Sequence, residues 1–317
     1  MSVLFISEAE VDRLLDIRQA IDAVQEVFGQ LATGRAMNVP RFRAKAEGIV
    51  LHTMSAASDD LGLVGVKCYT TTRQGARFHL HLYEQASGRL LAIVEAGRLG
   101  QLRTGAATGV AVSFLAPPEV AELGLFGTGL QAQTQLAAVA AVRPIKRAFV
   151  YSRSEESREA FAEQYSAALG LEIVPVDRPQ EAVEDLPLVI TATSSAVPVF
   201  DGAWLSEGTL VCAVGSNWLT RAEIDATVVR RADNIVCDSI EACRREAGDF
   251  VDALEKGIFH WPRAVELADV VAGRAALRKR ESISLFKSVG MAIEDLALGA
   301  RLLAHARRQG VGTPLPL

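Results

Sequence analysis

The chain moves between two hydrophobic rhythms. From Ser7 to about Thr33, Val11, Leu14, Leu15, Ile21, Val24 and Phe28 recur at three- and four-residue intervals, the period of an amphipathic helix. Between about Ile49 and Glu95 the pattern shortens to strands, GIVLHTMSA, GLVGVKCYT, ARFHLHLYE and RLLAIVEA, separated by Gly, Asp and Ser turns. Val110 to Leu115 leads into Pro117 and Pro118, which mark a domain boundary. Beyond it strands and helices alternate: VAELGLF, a helix from about Leu130, RAFVYS, a helix over Glu155 to Leu169, LEIVPV, LPLVITAT, GTLVCAV, a helix around Arg221 to Val229, and NIVCDS. Apolar strands alternating with amphipathic helices predict a parallel sheet covered on both faces. After the final strand, SLFKSVGMAIEDLALGARLLAHARRQG reads as one long helix that returns to the first domain and completes it.

The predicted class is α/β, with a doubly wound, Rossmann-type parallel sheet over 117–293 and an α+β domain over 1–116 with 294–317. The run from Val120 to Gln135 carries the sharpest chemical signal. An apolar strand ends in Gly127, Thr128, Gly129, Leu130, Gln131 and Ala132, and a helix follows. Gly127 permits the turn, Gly129 leaves the backbone open to a pyrophosphate, and Ala132 keeps the helix close to the sheet. Free N–H groups at the helix start would then meet the phosphates. The second strand of the unit ends in Ser152, Arg153 and Ser154, where an NAD-type fold places a carboxylate for the ribose. A guanidinium with two hydroxyls suits a 2′-phosphate, so NADP(H) is favoured over NAD(H). In the other reading Arg153 is a solvated loop residue and Glu155 or Glu156 reaches the ribose.

Composition narrows the class. The 317 residues suffice for about two domains, with 50% hydrophobic and 22% charged residues to build full cores. A formal net charge of -5 gives no reason to expect nucleic acid or an anionic membrane as partner. The start MSVLFISEAEVDRLLD carries acids where a secretory signal needs bases, and no uninterrupted apolar run is long enough to span a bilayer, so a soluble cytoplasmic protein is expected. Cys68, Cys212, Cys237 and Cys243 lack paired ligand spacing and are expected to be free thiols; no metal site is expected. Lys67 stands inside an apolar strand, GLVGVKCY, where an unpaired ammonium would be costly.

Taken together, the GVK segment ending in Lys67, QLRTGAATG around Arg103, GTGLQAQ, VITATSS, VCAVGSN, CDSIEACRREAGDF and LFKSVGMAIEDLA resemble the ornithine cyclodeaminase and mu-crystallin family. The resemblance implies a homodimer whose first domain binds substrate and makes the dimer, with a nicotinamide cofactor in the cleft between domains. It implies that Arg41, Lys67 and Arg103 hold the carboxylate of an amino or imino acid, and that Thr193, Ser194, Val214, Gly215, Ser216, Ser288 and Gly290 line the cofactor. Two departures bear on the reaction. Asn217 stands where cyclodeaminases carry an aspartate, and a neutral amide neither takes a proton nor balances an ammonium. His52 stands where the cyclodeaminase pattern has a glutamate.

The resemblance, with these departures, implies an NAD(P)H-dependent reductase of a small cyclic ketimine such as a pyrroline- or piperideine-carboxylate. Arg41, Lys67 and Arg103 would fix the substrate, Lys67 or a water it holds would protonate nitrogen, and His52 and Asn217 would sit beside them. The alternatives are an alanine-type dehydrogenase, a hydroxyproline dehydratase or cyclodeaminase-type lyase, and a ligand-binding protein without activity. His79 and His81 alternate on one strand and, like His52, are candidates to face the cleft; Tyr69, Arg77, His79 and Trp218 are candidates to shape the side-chain pocket.

Overall fold

The computed structural model describes residues 2–278 and 281–316. The chain opens with β1 (Val3–Ile6), α1 (Glu8–Leu14) and α2 (Ile17–Ala32), followed by β2 (Ala36–Ala46), β3 (Ile49–Ser58), β4 (Leu63–Thr72), β5 (Gly75–Glu84) and β6 (Leu90–Glu95). Helix α3 (Gly97–Leu115) leads to β7 (Glu122–Phe126), α4 (Leu130–Val142), β8 (Arg147–Tyr151), α5 (Glu155–Leu169), β9 (Glu172–Pro175), β10 (Leu188–Thr191) and β11 (Leu210–Ala213). Then come α6 (Ala226–Arg231), β12 (Asn234–Cys237), α7 (Ile240–Glu246), α8 (Val251–Glu255), β13 (Ala264–Glu266), α9 (Leu267–Val271), β14 (Ser284–Lys287), α10 (Ala292–Gln309) and β15 (Thr313–Leu315).

Two compact units result, Met1–Arg103 with Gly290–Leu317, and Thr104–Val289. The division falls inside α3 rather than at the Pro117–Pro118 pair. Those prolines follow the end of the helix, and a helix can run on from one unit into the next.

In the first unit the sheet order is β15-β1-β6-β5-β4-β3-β2, antiparallel except where β1 meets β6. Its long meander has strict alternation, so His52, Met54 and Ala56 on β3 and Gly65, Lys67 and Tyr69 on β4 are buried on one face. Helix α10 lies on that face. The approach is close because two glycines permit it: a Cβ on Gly65 would stand 2.7 Å from Leu296 Cδ1, and one on Gly299 would stand 2.7 Å from Leu80 Cδ2. On the other face Met37, Phe42, Ile49, Leu51 and Val64 are exposed, up to 64% for Met37.

The second unit holds eight parallel strands in the order β13-β12-β14-β11-β10-β7-β8-β9. The strand order reverses beside β7, as in a doubly wound dinucleotide fold. Strands β10, β11, β12 and β14 are buried along their whole length, as continuous apolar runs require.

Three expectations change. The first helical stretch breaks in two, because Asp16 begins a new helix: its Oδ1 accepts from Gln19 N at 2.8 Å. The helix expected from Arg221 starts only at Ala226, where Asp225 Oδ1 caps Val228 N at 2.9 Å. The segment beginning SLFK is not helical at its start. Ser284–Lys287 is β14, between β11 and β12, and the helix begins at Ala292.

Candidate active site

In the first unit a cationic cluster forms where β2, β4, α3 and α10 meet. Lys67 is 2% exposed, and its Nζ donates to Asp295 Oδ1 at 2.6 Å. Gly100 on α3 leaves room for the ammonium, since a Cβ there would stand 3.0 Å from Nζ. Arg103 donates from Nη1 to Glu294 Oε2 at 3.1 Å, and its Nε lies 3.5 Å from Asp295 Oδ1. Arg41 is also buried, within the register shift between β2 and β3 that lies between Val39 and Phe42. Two adjacent carboxylates in the first turn of α10 therefore balance cations from two other elements and favour the positive end of the helix. Burial lowers the Lys67 ammonium most; Asp295 counters that, Arg103 and Arg41 add to it, and the result is about 8.

Beside the cations runs a stack of rings. His52, Tyr69 and Phe78 stand directly opposite one another on β3, β4 and β5. The His52 and Tyr69 centroids are 4.1 Å apart with ring planes 5° from parallel, and Tyr69 and Phe78 are 4.8 Å apart. Arg41 Cζ lies 5.9 Å from the Tyr69 centroid and Lys67 Nζ 5.5 Å from that of Phe78, so the central ring and one end ring of the stack each meet a cation. His52 Nε2 contacts Thr71 Oγ1 at 3.0 Å. Burial first, then Arg43 and Arg41, push this imidazole down to about 4, so it is neutral near pH 7.

Alternation separates the other histidines from this cluster. His79 pairs with Cys68 and His81 with Val66, so both lie on the sheet face opposite Lys67, as does the exposed Arg77. Tyr69 is thus the one member of the expected pocket-shaping set on β4 and β5 that shares the face of Lys67. Gly290, expected beside the cofactor, belongs to this unit, and a Cβ on it would stand 2.4 Å from Arg103 Nη1.

The second unit carries the glycine turn. Gly127 has φ 105, and a Cβ there would meet Ala192 O at 2.5 Å, so no other residue fits. A Cβ on Gly129 would meet nothing within 4 Å, and Gly129 is the residue from which α4 starts. The turn is therefore open directly above free helix N–H groups, a fit for the pyrophosphate of a dinucleotide. Ala132 is fully buried, whereas Thr128 and Gln131 are half-buried and Leu130 is exposed.

At the end of β8, Arg153 and Ser154 are exposed and Ser152 is half-buried. Ser154 Oγ accepts from Ser157 N at 3.1 Å and begins α5, while Arg158 donates to Ser152 O at 3.0 Å and pairs with Asp177. Arg158 is a buried cation next to the expected 2′-phosphate residues that sequence reasoning did not single out.

A buried charge network underlies the remaining loops. Glu223 accepts from Thr193 N at 2.7 Å, Thr193 Oγ1 at 2.8 Å and Gly215 N at 2.6 Å. Asp249 accepts from Glu223 N at 2.7 Å and pairs with Lys287 Nζ at 2.7 Å; that ammonium also donates to Ser216 O at 2.9 Å. Asp238 accepts from Ser288 Oγ at 2.8 Å and Val289 N at 2.7 Å. The Ser288 hydroxyl is thus committed to Asp238. Ser194 and Gly215 are exposed, Val214 and Asn217 half-buried and Ser216 buried. None of Glu223, Asp238, Asp249 or Lys287 was singled out from the sequence, although Asp238, Asp249 and Lys287 lie inside segments that carry the family resemblance.

Two further facts concern the described residues only. No group of three or more His, Cys, Asp or Glu side chains is placed to hold a metal ion, and no helix is long and apolar enough to cross a membrane. All four cysteines are free thiols, with Cys68 half-buried and the others buried.

The model of the Ornithine cyclodeaminase/mu-crystallin family matches residues 1–308. The chain belongs to that family. Among its relatives is the Delta(1)-pyrroline-2-carboxylate reductase of Bacillus cereus, 30% identical, with 99% of each chain covered. A solved structure of Thermococcus litoralis Delta(1)-pyrroline-2-carboxylate reductase in complex with NADH and L-proline matches with TM-score 0.93 and 32% identity, covering 99% of this chain and 100% of that one. An archaeal alanine dehydrogenase dimer with bound NAD matches with TM-score 0.94 and 28% identity over the full length of both chains.

Proposed function

We propose that this protein is an NAD(P)H-dependent reductase of a small cyclic ketimine, of the pyrroline- or piperideine-2-carboxylate type. The broader class is secure: it is a nicotinamide-dependent oxidoreductase acting on C=N or CH–NH bonds. The observation that carries the finer reading is the buried cluster of Arg41, Lys67 and Arg103 against Glu294 and Asp295. These five groups sum to one positive charge, three cations against two anions, which suits a substrate with one carboxylate.

Two planar guanidiniums, Arg41 and Arg103, would grip the carboxylate, and Lys67 would direct an N–H at the imine nitrogen. Fixing both groups of the substrate supplies orientation, and the buried cations polarise the C=N bond in a low-dielectric setting. When bound, a reduced nicotinamide supplies the hydride. The first unit has no carboxylate at position 52 to recognise a terminal ammonium, and Asn217 cannot act as a base; both favour reduction over cyclodeamination.

Gly127, Gly129 and Ala132 would hold the dinucleotide, with Ser152, Arg153 and Ser154 at its ribose, and we favour NADPH on the strength of that guanidinium. Thr193, Ser194, Val214, Gly215 and Ser216 would line the nicotinamide half. The exposed apolar face of the first unit's sheet, with Met37, Phe42 and Val64 on one side, suits pairing with a second copy as a homodimer.

The test is oxidation of NADPH or NADH, followed by absorbance, with cyclic imines and with keto acids plus ammonia. Turnover with a cyclic imine and its loss in Lys67→Ala support the reading. Reduction of the oxidised cofactor by free alanine, with no imine activity, replaces it with the dehydrogenase. Turnover of hydroxyproline without net cofactor change replaces it with the lyase.

A further inference from the structure

We infer that Asp295 is a positioning residue that keeps a proton on Lys67 for delivery to the imine nitrogen, while its neighbour Glu294 reserves Arg103 for the carboxylate. This rests on the reductase reading above.

The two carboxylates are consecutive in sequence yet make their shortest ion pairs with different cations. Asp295 Oδ1 is 2.6 Å from Lys67 Nζ and 3.5 Å from Arg103 Nε; Glu294 Oε2 is 3.1 Å from Arg103 Nη1 and 3.4 Å from Met291 N. Both carboxylates are fully buried. The charged groups acting on Lys67 are Asp295 from α10, Arg103 from α3 and Arg41 from β2; the Phe78 ring from β5 lies 5.5 Å from Nζ, and His52 on β3 and Tyr69 on β4 share the same face of the sheet. Burial, and then the Arg103 and Arg41 guanidiniums, drive the proton off Lys67, and Asp295 is the anion in direct contact that holds it on. The resulting ammonium is acidic enough to transfer its proton near neutral pH, which an ordinary lysine is not.

The step balances. A Lys67 Nζ–H bond breaks as the new N–H bond forms on the imine nitrogen, which takes the C=N π pair, while the hydride for the new C–H bond would come from a bound reduced nicotinamide, which would be oxidised. Lys67 is left as a neutral amine beside the Asp295 carboxylate and recovers a proton from solvent.

The experiment compares native enzyme with Asp295→Asn and Glu294→Gln, by the pH profile of imine reduction and by NMR titration of the 15N-labelled Lys67 Nζ without substrate. Asp295→Asn keeps an acceptor for the ammonium but removes the charge. The alkaline limb of kcat/KM and the Nζ titration should both move down by about one pH unit or more, with activity recovered at acid pH. Glu294→Gln should raise KM and leave the limb in place. Asp295→Glu, which keeps the charge, should return the limb toward native and serves where the amide variant does not fold. Equal loss at every pH, or an unmoved Nζ titration, overturns the inference. Absence of any imine reduction by native enzyme sinks the reductase reading instead, while the Nζ titration still decides whether Asp295 controls the Lys67 proton.

Discussion

Gly290 and Arg103 touch across the point where the chain leaves the first unit and re-enters it. Gly290 has φ 82, and the space its missing side chain frees is filled by the Arg103 guanidinium, with Nη1 2.4 Å from where a Cβ would stand. Gly290→Ala should therefore displace Arg103 from Glu294 as well as strain the backbone. The expected result is about a tenfold rise in KM for the carboxylate substrate, with dinucleotide affinity little changed. Steady-state kinetics and a cofactor titration on the same variant check both halves.

Gly129 offers the opposite case, a glycine whose missing side chain is filled by nothing in the protein. Its φ of -86 is open to any residue. Gly129→Ala should cost at most about 1 kcal/mol of stability, as a weaker helix start, yet weaken dinucleotide binding at least about tenfold, because the methyl stands where the pyrophosphate would approach. Denaturant unfolding beside fluorescence titration with NADH and NADPH separates the two effects.

His52 should leave a signature in acid. Its folded value of about 4 lies below the ordinary 6.5, because burial and then Arg43 and Arg41 disfavour its charged form. The unfolded chain binds a proton in that interval and the folded chain does not, so stability is full above pH 6.5 and is lost as pH falls toward 4. His52→Gln should lose less stability over that window than the native protein. Urea unfolding at its two ends measures the difference.

Arg153 is exposed at the end of β8 beside the capping Ser154. Arg153→Asp should lower the ratio of NADPH to NADH kcat/KM by about tenfold or more, since a carboxylate repels a 2′-phosphate and accepts from a free 2′-OH. An unchanged ratio would place cofactor choice elsewhere, with Arg158 as the next cation to replace.

What could be read from the sequence divides by the range of the forces involved. Gly127, Gly129 and Ala132 were legible because their requirement is local: one turn, one strand, one helix start. Lys67 stood out as a cation in an apolar strand, and Arg41 and Arg103 entered through the family resemblance. Their partners Asp295 and Glu294 did not stand out, since they lie in an ordinary helical pattern and meet the cations only through tertiary folding. Glu223, Asp249 and Lys287 were hidden for the same reason. Strand β14 was misread because SLFK is short and fully buried, so it lacks the alternation that separates a strand from a helix. His79 and His81 resembled site residues until the β4–β5 register put them on the other face.

The pairing of Lys67 with Asp295 also governs the order in which the protein can be assembled during synthesis. The two partners are 228 residues apart, and Arg103 and Glu294 are 191 apart. At about 5–20 residues per second, Lys67 precedes Asp295 off the ribosome by roughly 11 to 46 s. Through that interval the nascent meander has its buried cations but neither carboxylate, and its inner face lacks the helix that covers it. The second unit is completed within the same interval, so a nascent chain should fold its inserted second unit first and close the sheet of its first unit last.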